Sequence, residues 1–67
     1  MKIFSEKLKQ LRIENGLNQT QLGQVLSVDQ RTISNWENAI REPNYDMLLK
    51  ISDYFEVSTD FLLGKVD

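Results

Sequence analysis

An all-α fold of five short helices is what this sequence predicts, on three observations. Apolar residues recur at spacings of three and four, helix-capping residues stand just ahead of the later runs, and nowhere do apolar and polar residues alternate between turn dipeptides. Phe4, Leu8 and Leu11 set the first run, and Gly16 after Asn15 stops it, giving a helix over residues 3–14 with Ile13 on its exposed side. Asn18 caps a second helix over residues 19–26, whose Leu22, Val25 and Leu26 make one stripe. Ser27 and Val28 separate it from Asp29, another strong cap, so a third helix over residues 30–38 starts after a sharp turn. Pro43 ends the next connection. Asn44 then caps a fourth helix with Leu48, Ile51 and Phe55 on one face and Ser52 between them, and Val57 tucks in behind. Ser58 caps a last helix, residues 59–63, closed by Gly64.

At 67 residues and 7.8 kDa the chain reads as a single domain, 1–67, with room for one small core. The absence of cysteine removes disulfides and thiolate zinc sites and fits a reducing compartment, so the cytoplasm is the expected location. No apolar run approaches the ~18–20 residues of a membrane span, and no hydrophobic stretch follows a basic start, so a soluble chain with no membrane partner is expected. Histidine is absent too, which takes away the commonest general base and metal ligand. With no convergent carboxylates either, the sequence offers no catalytic residue, metal site or cofactor site. The net charge of −2 hides an asymmetry. Residues 1–41 hold six bases (Lys2, Lys7, Lys9, Arg12, Arg31, Arg41) and four acids, whereas residues 42–67 hold two bases and six acids. A surface that meets an anion therefore belongs to the first part.

The third helix divides cleanly at ~100° per residue. Thr32, Ile33, Trp36 and Glu37 fall on one half, and Gln30, Arg31, Ser34, Asn35 and Asn38 on the other, which carries no carboxylate. Two short helices joined by a tight turn, the second with a polar outer face, describe a helix-turn-helix. Such a helix must enter a major groove ~12 Å wide, presenting side chains to base edges while its rear is anchored on a core. Carboxamides match adenine N6 and N7, and a guanidinium matches guanine O6 and N7, so Gln30, Arg31 and Asn35 are the candidate readers. A solvated helix face is also polar, although it normally mixes in Glu and Lys. Spacing alone does not decide between the two.

Residue identities add more. The run LNQTQLGQVLSVDQRTISNWENAIREP, residues 17–43, resembles the lambda-repressor and Cro type of helix-turn-helix, the Cro/C1 or XRE family of bacterial and phage repressors. The resemblance extends from LKQLRIENGLNQ through the ending VSTDFLLG. It implies a compact five-helix lambda-repressor-like DNA-binding domain that acts as a sequence-specific transcriptional regulator, a repressor, on double-stranded DNA. It further implies that Asn18 and Gln19, opening the second helix, touch the DNA backbone, helped by the partial positive charge of that helix start. Base edges fall to Gln30, Arg31 and Asn35 with Ser34 nearby, while Thr32, Asn38 and the loop residue Arg41 complete the backbone set. Arg12 and Glu37 are implied as a partly buried ion pair, and Trp36 is read as core. One such helix reads about one half-site, so a homodimer on an inverted repeat is expected, joined through Phe61, Leu62 and Leu63. The alternative is a protein-interaction module, such as the antitoxin of a toxin–antitoxin pair. Two departures stand out. Ser27 sits where the family commonly has glycine, and a left-handed conformation there costs ~1 kcal/mol. Gly23 sits where the family prefers alanine, which weakens the helix by ~1 kcal/mol unless close packing requires it.

Overall fold

The computed structural model describes residues 2–65, and its five helices follow one another in the order α1 (Lys2–Glu14), α2 (Gln19–Leu26), α3 (Gln30–Glu37), α4 (Tyr45–Phe55) and α5 (Thr59–Leu62). The four later starts are capped by side chains. Asn18 accepts from the Gln21 amide at 2.7 Å while the Gln21 side chain accepts from the Asn18 amide at 2.8 Å, a reciprocal capping box. Asp29, Asn44 and Ser58 likewise accept from the amides of Thr32, Met47 and Phe61. Each cap satisfies a donor that the helix leaves orphaned, worth roughly 1 kcal/mol.

Every helix sends at least one side chain to a single core. Phe4 and Leu8 come from α1, Leu22 and Leu26 from α2, Ile33 and Trp36 from α3, Ile51 from α4 and Leu62 from α5. Full burial of such a side chain stabilises by roughly 1.5–3 kcal/mol. A helix as short as α5 has too few internal hydrogen bonds to persist alone, so Leu62 is what holds it in place. This corrects the expectation for the dimer contact: Leu62 is wholly buried in its own domain, leaving only the half-buried Phe61 and Leu63 of that trio accessible. Polar ties reinforce the packing. The Ser5 hydroxyl, buried in α1, donates to the Trp36 carbonyl of α3, and Lys50 of α4 donates to the Leu26 carbonyl at 2.9 Å. The ammonium thus meets the negative end of the α2 dipole.

The stripe of α2 differs from the expectation at one place. Val25 is 37% exposed, and Gly23 takes the inward position beside Leu22 and Leu26. The reason lies in the turn. A Cβ built on Gly23 would stand 2.6 Å from the Val28 carbonyl oxygen, so the backbone after α2 folds back onto bare backbone and turns Val25 outward. Ser27 makes that reversal with φ 62° and ψ 39°, and the Val28 amide returns to the Gly23 carbonyl at 2.8 Å. The left-handed conformation is therefore adopted without glycine here, as it is at Ala39 and Glu56. Tyr45 and Tyr54 are 70% and 42% exposed, and Tyr54 meets the Phe55 ring edge-on at 4.9 Å.

These contacts set opposite signs for two substitutions in the turn. Gly23→Ala removes ~1 kcal/mol of helix penalty but forces a methyl against fixed backbone at ~1–3 kcal/mol, so a net loss is expected. Ser27→Gly is expected to gain ~0.5–1 kcal/mol by relieving the left-handed serine. Urea midpoints of the two variants against the parent check both signs.

Candidate nucleic-acid interface

The turn over Ser27 and Val28 places α2 and α3 against each other, and α3 is mounted by Ile33 and Trp36 on the core. Its other side faces out. Gln30, Arg31 and Asn38 are exposed, whereas Ser34 and Asn35 are half-buried, so the outer half is less solvated than its composition implies. Arg41 lies exposed in the loop that follows, with its amide directed to the Asn35 carbonyl at 3.3 Å. Asn18 is exposed at the start of α2, and Gln19 is half-buried beside it.

Hydrogen bonding sorts these residues further. Gln30 Nε2 donates to Gln19 Oε1 at 2.5 Å, which joins the first residue of α3 to the first residue of α2. Asn38 donates to the Ser34 carbonyl at 2.9 Å and to its hydroxyl at 3.3 Å. The Thr32 hydroxyl donates to Asp29 Oδ1 at 2.9 Å. The donors of Thr32 and Asn38 are thus directed along the chain, while the guanidinium groups of Arg31 and Arg41 stand on exposed residues. Asp29 caps α3 immediately before Gln30. The Thr32 amide, then the Thr32 hydroxyl, hold its carboxyl below the usual aspartate range, with Arg31 helping, so the cap stays ionised near neutral pH.

Behind this face Arg12 of α1 grips Glu37 of α3 with both arms of its fork. Arg12 Nε donates to Glu37 Oε2 at 2.6 Å and Arg12 Nη2 to Glu37 Oε1 at 3.0 Å. Glu37 is 3% and Arg12 12% exposed, so both charges are largely out of water. The remaining groups are satisfied too, with Arg12 Nη1 donating to the Leu17 carbonyl at 2.9 Å and Gln19 Nε2 donating to Glu37 Oε1 at 3.1 Å. Gln19 was read from the sequence as a backbone contact; its bonds to both Glu37 and Gln30 were not. Nothing in the spacing marks them, because residues 19, 30 and 37 lie on different turns of two helices. Among the described residues no cluster of three or more His, Cys, Asp or Glu side chains forms a metal site, and no helix is long and apolar enough to cross a membrane.

The helix-turn-helix family model matches residues 8–62, which take in the turn, the outer face of α3 and every core residue but Phe4. This chain belongs to the helix-turn-helix family, of the lambda-repressor and Cro type. Among curated proteins this helix-turn-helix chain is 40% identical over 62 residues to the HTH-type transcriptional regulator ImmR of Bacillus subtilis, covering 92% of this chain and 49% of that one. It is 45% identical over 61 residues to the HTH-type transcriptional activator BcrR of Enterococcus faecalis, covering 91% of this chain and 30% of that one. The chain thus spans about half the length of these relatives or less. Among solved structures it matches the P22 c2 repressor in complex with a synthetic operator, with a TM-score of 0.86, 32% identity, and coverage of 94% of this chain and 96% of that one. These relatives are named as regulators of transcription, and the antitoxin reading is not carried forward.

The burial of the ion pair sets an energetic expectation. Arg12→Ala leaves the Glu37 carboxylate buried with Gln19 as its one side-chain donor, at a loss of roughly 3–5 kcal/mol. Replacing both partners at once, Arg12→Met with Glu37→Leu, removes both charges and is expected to lose far less. Thermal unfolding of the single and double variants checks the difference.

Proposed function

We propose that this chain binds double-stranded DNA as a sequence-specific transcriptional regulator, a repressor, with α3 in the major groove. The observation that carries this reading is the likeness, over 94% of the chain at a TM-score of 0.86, to a repressor solved on its operator. The outer face of α3 agrees with it, since its exposed groups are carboxamide and guanidinium, with the Ser34 hydroxyl half-buried beside them, and these match base edges and phosphates. Gln30, Arg31 and Asn35 read base edges, with Ser34 beside them. Arg41 addresses the backbone, and so do Asn18 and Gln19 from the positive end of α2, whereas Thr32 and Asn38 reach a phosphate on release of their donors from Asp29 and Ser34. Repression follows from occupancy, because a protein seated in the groove excludes other proteins from the same duplex. The activator among the relatives extends well beyond the part this chain covers.

Few cations face the DNA in this arrangement. Arg31 and Arg41 with one lysine neutralise ~3 phosphates per domain, which gives a salt slope near −3 and weak nonspecific binding. Affinity then depends on direct readout and on two copies bound to an inverted repeat with half-sites ~34 Å apart. Phe61 and Leu63 are the accessible apolar residues of the C-terminal segment for that pairing, and the Lys7 ammonium lies 4.4 Å from the Phe61 ring centre.

Selection of bound duplexes from a random pool tests the reading directly. An enriched inverted repeat is expected, with Asn35→Ala losing ~1–3 kcal/mol and relaxing one or two positions. Arg41→Ala should weaken all sequences alike and reduce the salt slope by about 1. A protein that enriches no motif would overturn the proposal. Sedimentation that returns a strict monomer at high concentration would overturn the pairing through Phe61 and Leu63.

A further inference from the structure

We propose that the Asn15–Gly16 link is a self-modification site whose product weakens the hold of the domain on DNA. The Gly16 amide nitrogen closes on the Asn15 carboxamide, and ammonia leaves. The sequence singles out this pair. Asn18, Asn35, Asn38 and Asn44 are followed by Gln19, Trp36, Ala39 and Tyr45, whose side chains crowd the attacking nitrogen, whereas Gly16 brings none. Both residues are exposed in the turn between α1 and α2, and a Cβ built on Gly16 would meet nothing within 4 Å. The reacting groups are tied only by the last turn of a helix, where fraying is easiest. Asn15 Nδ2 donates to the Leu11 carbonyl at 2.7 Å and the Gly16 amide to the Ile13 carbonyl at 3.0 Å, so the attack waits on local opening of that turn.

The chemistry balances with water as its co-reactant. The Gly16 nitrogen gives up its proton and bonds to Cγ of Asn15, the Cγ–Nδ2 bond breaks, and Nδ2 leaves as ammonia with that proton, so a cyclic imide remains. Water opens the ring at the side-chain carbonyl to give aspartate, or at the main-chain carbonyl to give isoaspartate, whose backbone is longer by a methylene. Each product puts a carboxylate where Nδ2 donated, against the Leu11 carbonyl and the negative end of the α1 dipole. The longer backbone also displaces Leu17, whose carbonyl holds Arg12 Nη1 at 2.9 Å, and Arg12 in turn holds Glu37 behind α3. The added charge lies three residues before Asn18, the DNA-facing start of α2 in the function proposed above, on which this half of the inference rests. Because the opened turn and the modified one both bind DNA less well, bound DNA must suppress both. A chain off its operator therefore ages, and a bound one is spared.

The experiment incubates the full chain at neutral pH alone, with its selected operator and with an unselected duplex, and follows the mass of the peptide that carries residue 15. Asn15→Gln, whose longer side chain closes the ring slowly, is the control, and Asn15→Asp reports the charge without the backbone change. Conversion of amide to acid is expected at residue 15 ahead of the other asparagines, and not in Asn15→Gln. The selected operator should slow it severalfold, and the unselected duplex should not. Asn15→Asp should bind every sequence roughly threefold more weakly at low salt and less so as salt rises, with the isoaspartate form weaker still. Conversion no faster than at the other asparagines would overturn the site. Conversion with affinity unchanged, or at one rate with and without operator, would overturn its effect on binding. If no operator is selected, the DNA reading has failed and the binding half falls with it, while conversion, read by mass alone, still decides the site.

Discussion

Three helices converge on the Glu37 carboxylate, which takes two hydrogen bonds from Arg12 of α1 and one from Gln19 of α2 while standing on α3. A charge only 3% exposed is tolerable because three donors meet its two oxygens and because the countercharge is bidentate. The geometry of the rest follows from it. The last turn of α3 cannot rotate without breaking the pair, and α2 cannot slide along α3 without releasing Gln19. The outer face of α3 is therefore a rigid surface, presented at one angle by polar contacts behind it and by Ile33 and Trp36 beneath it.

The second constraint is the reversal between α2 and α3. Its closeness comes from the missing side chain of Gly23, over which the Val28 carbonyl lies, and from the left-handed Ser27. Close approach of backbone to backbone fixes the relative position of the two helix starts, and so brings Gln19 within reach of Gln30. Local strain at Ser27 and precision at the outer face are consequences of the same turn.

Much of the fold was legible because its signals are local. Asn18, Asp29, Asn44 and Ser58 mark helix starts by chemistry that acts over three residues, and the apolar spacing marks inward faces over one or two turns. The stops were legible only at Gly16 and Gly64, since the left-handed Ala39 and Glu56 carry no sequence signal, non-glycine residues adopting that region only under tertiary pressure. Val25 was misplaced for a related reason: three apolar residues in eight leave the inward direction ambiguous until a neighbour, here the returning chain at Val28, claims one side. Leu62 was read as part of the dimer contact because α5 packs on α1 as well as on the neighbouring α4, and α1 is far away in sequence.

The sequence by itself determined the five helices, their order, the polarity of the α3 outer face and the family to which the chain belongs, because caps, periodicity and residue identity are properties of short stretches. Tertiary structure alone decided which donors remain free on that face. Whether Gln19 meets DNA, Glu37 or Gln30 depends on distances between residues 11 and 18 positions apart. Such distances are set by a glycine, a strained serine and a buried ion pair acting together, and no local pattern encodes their sum.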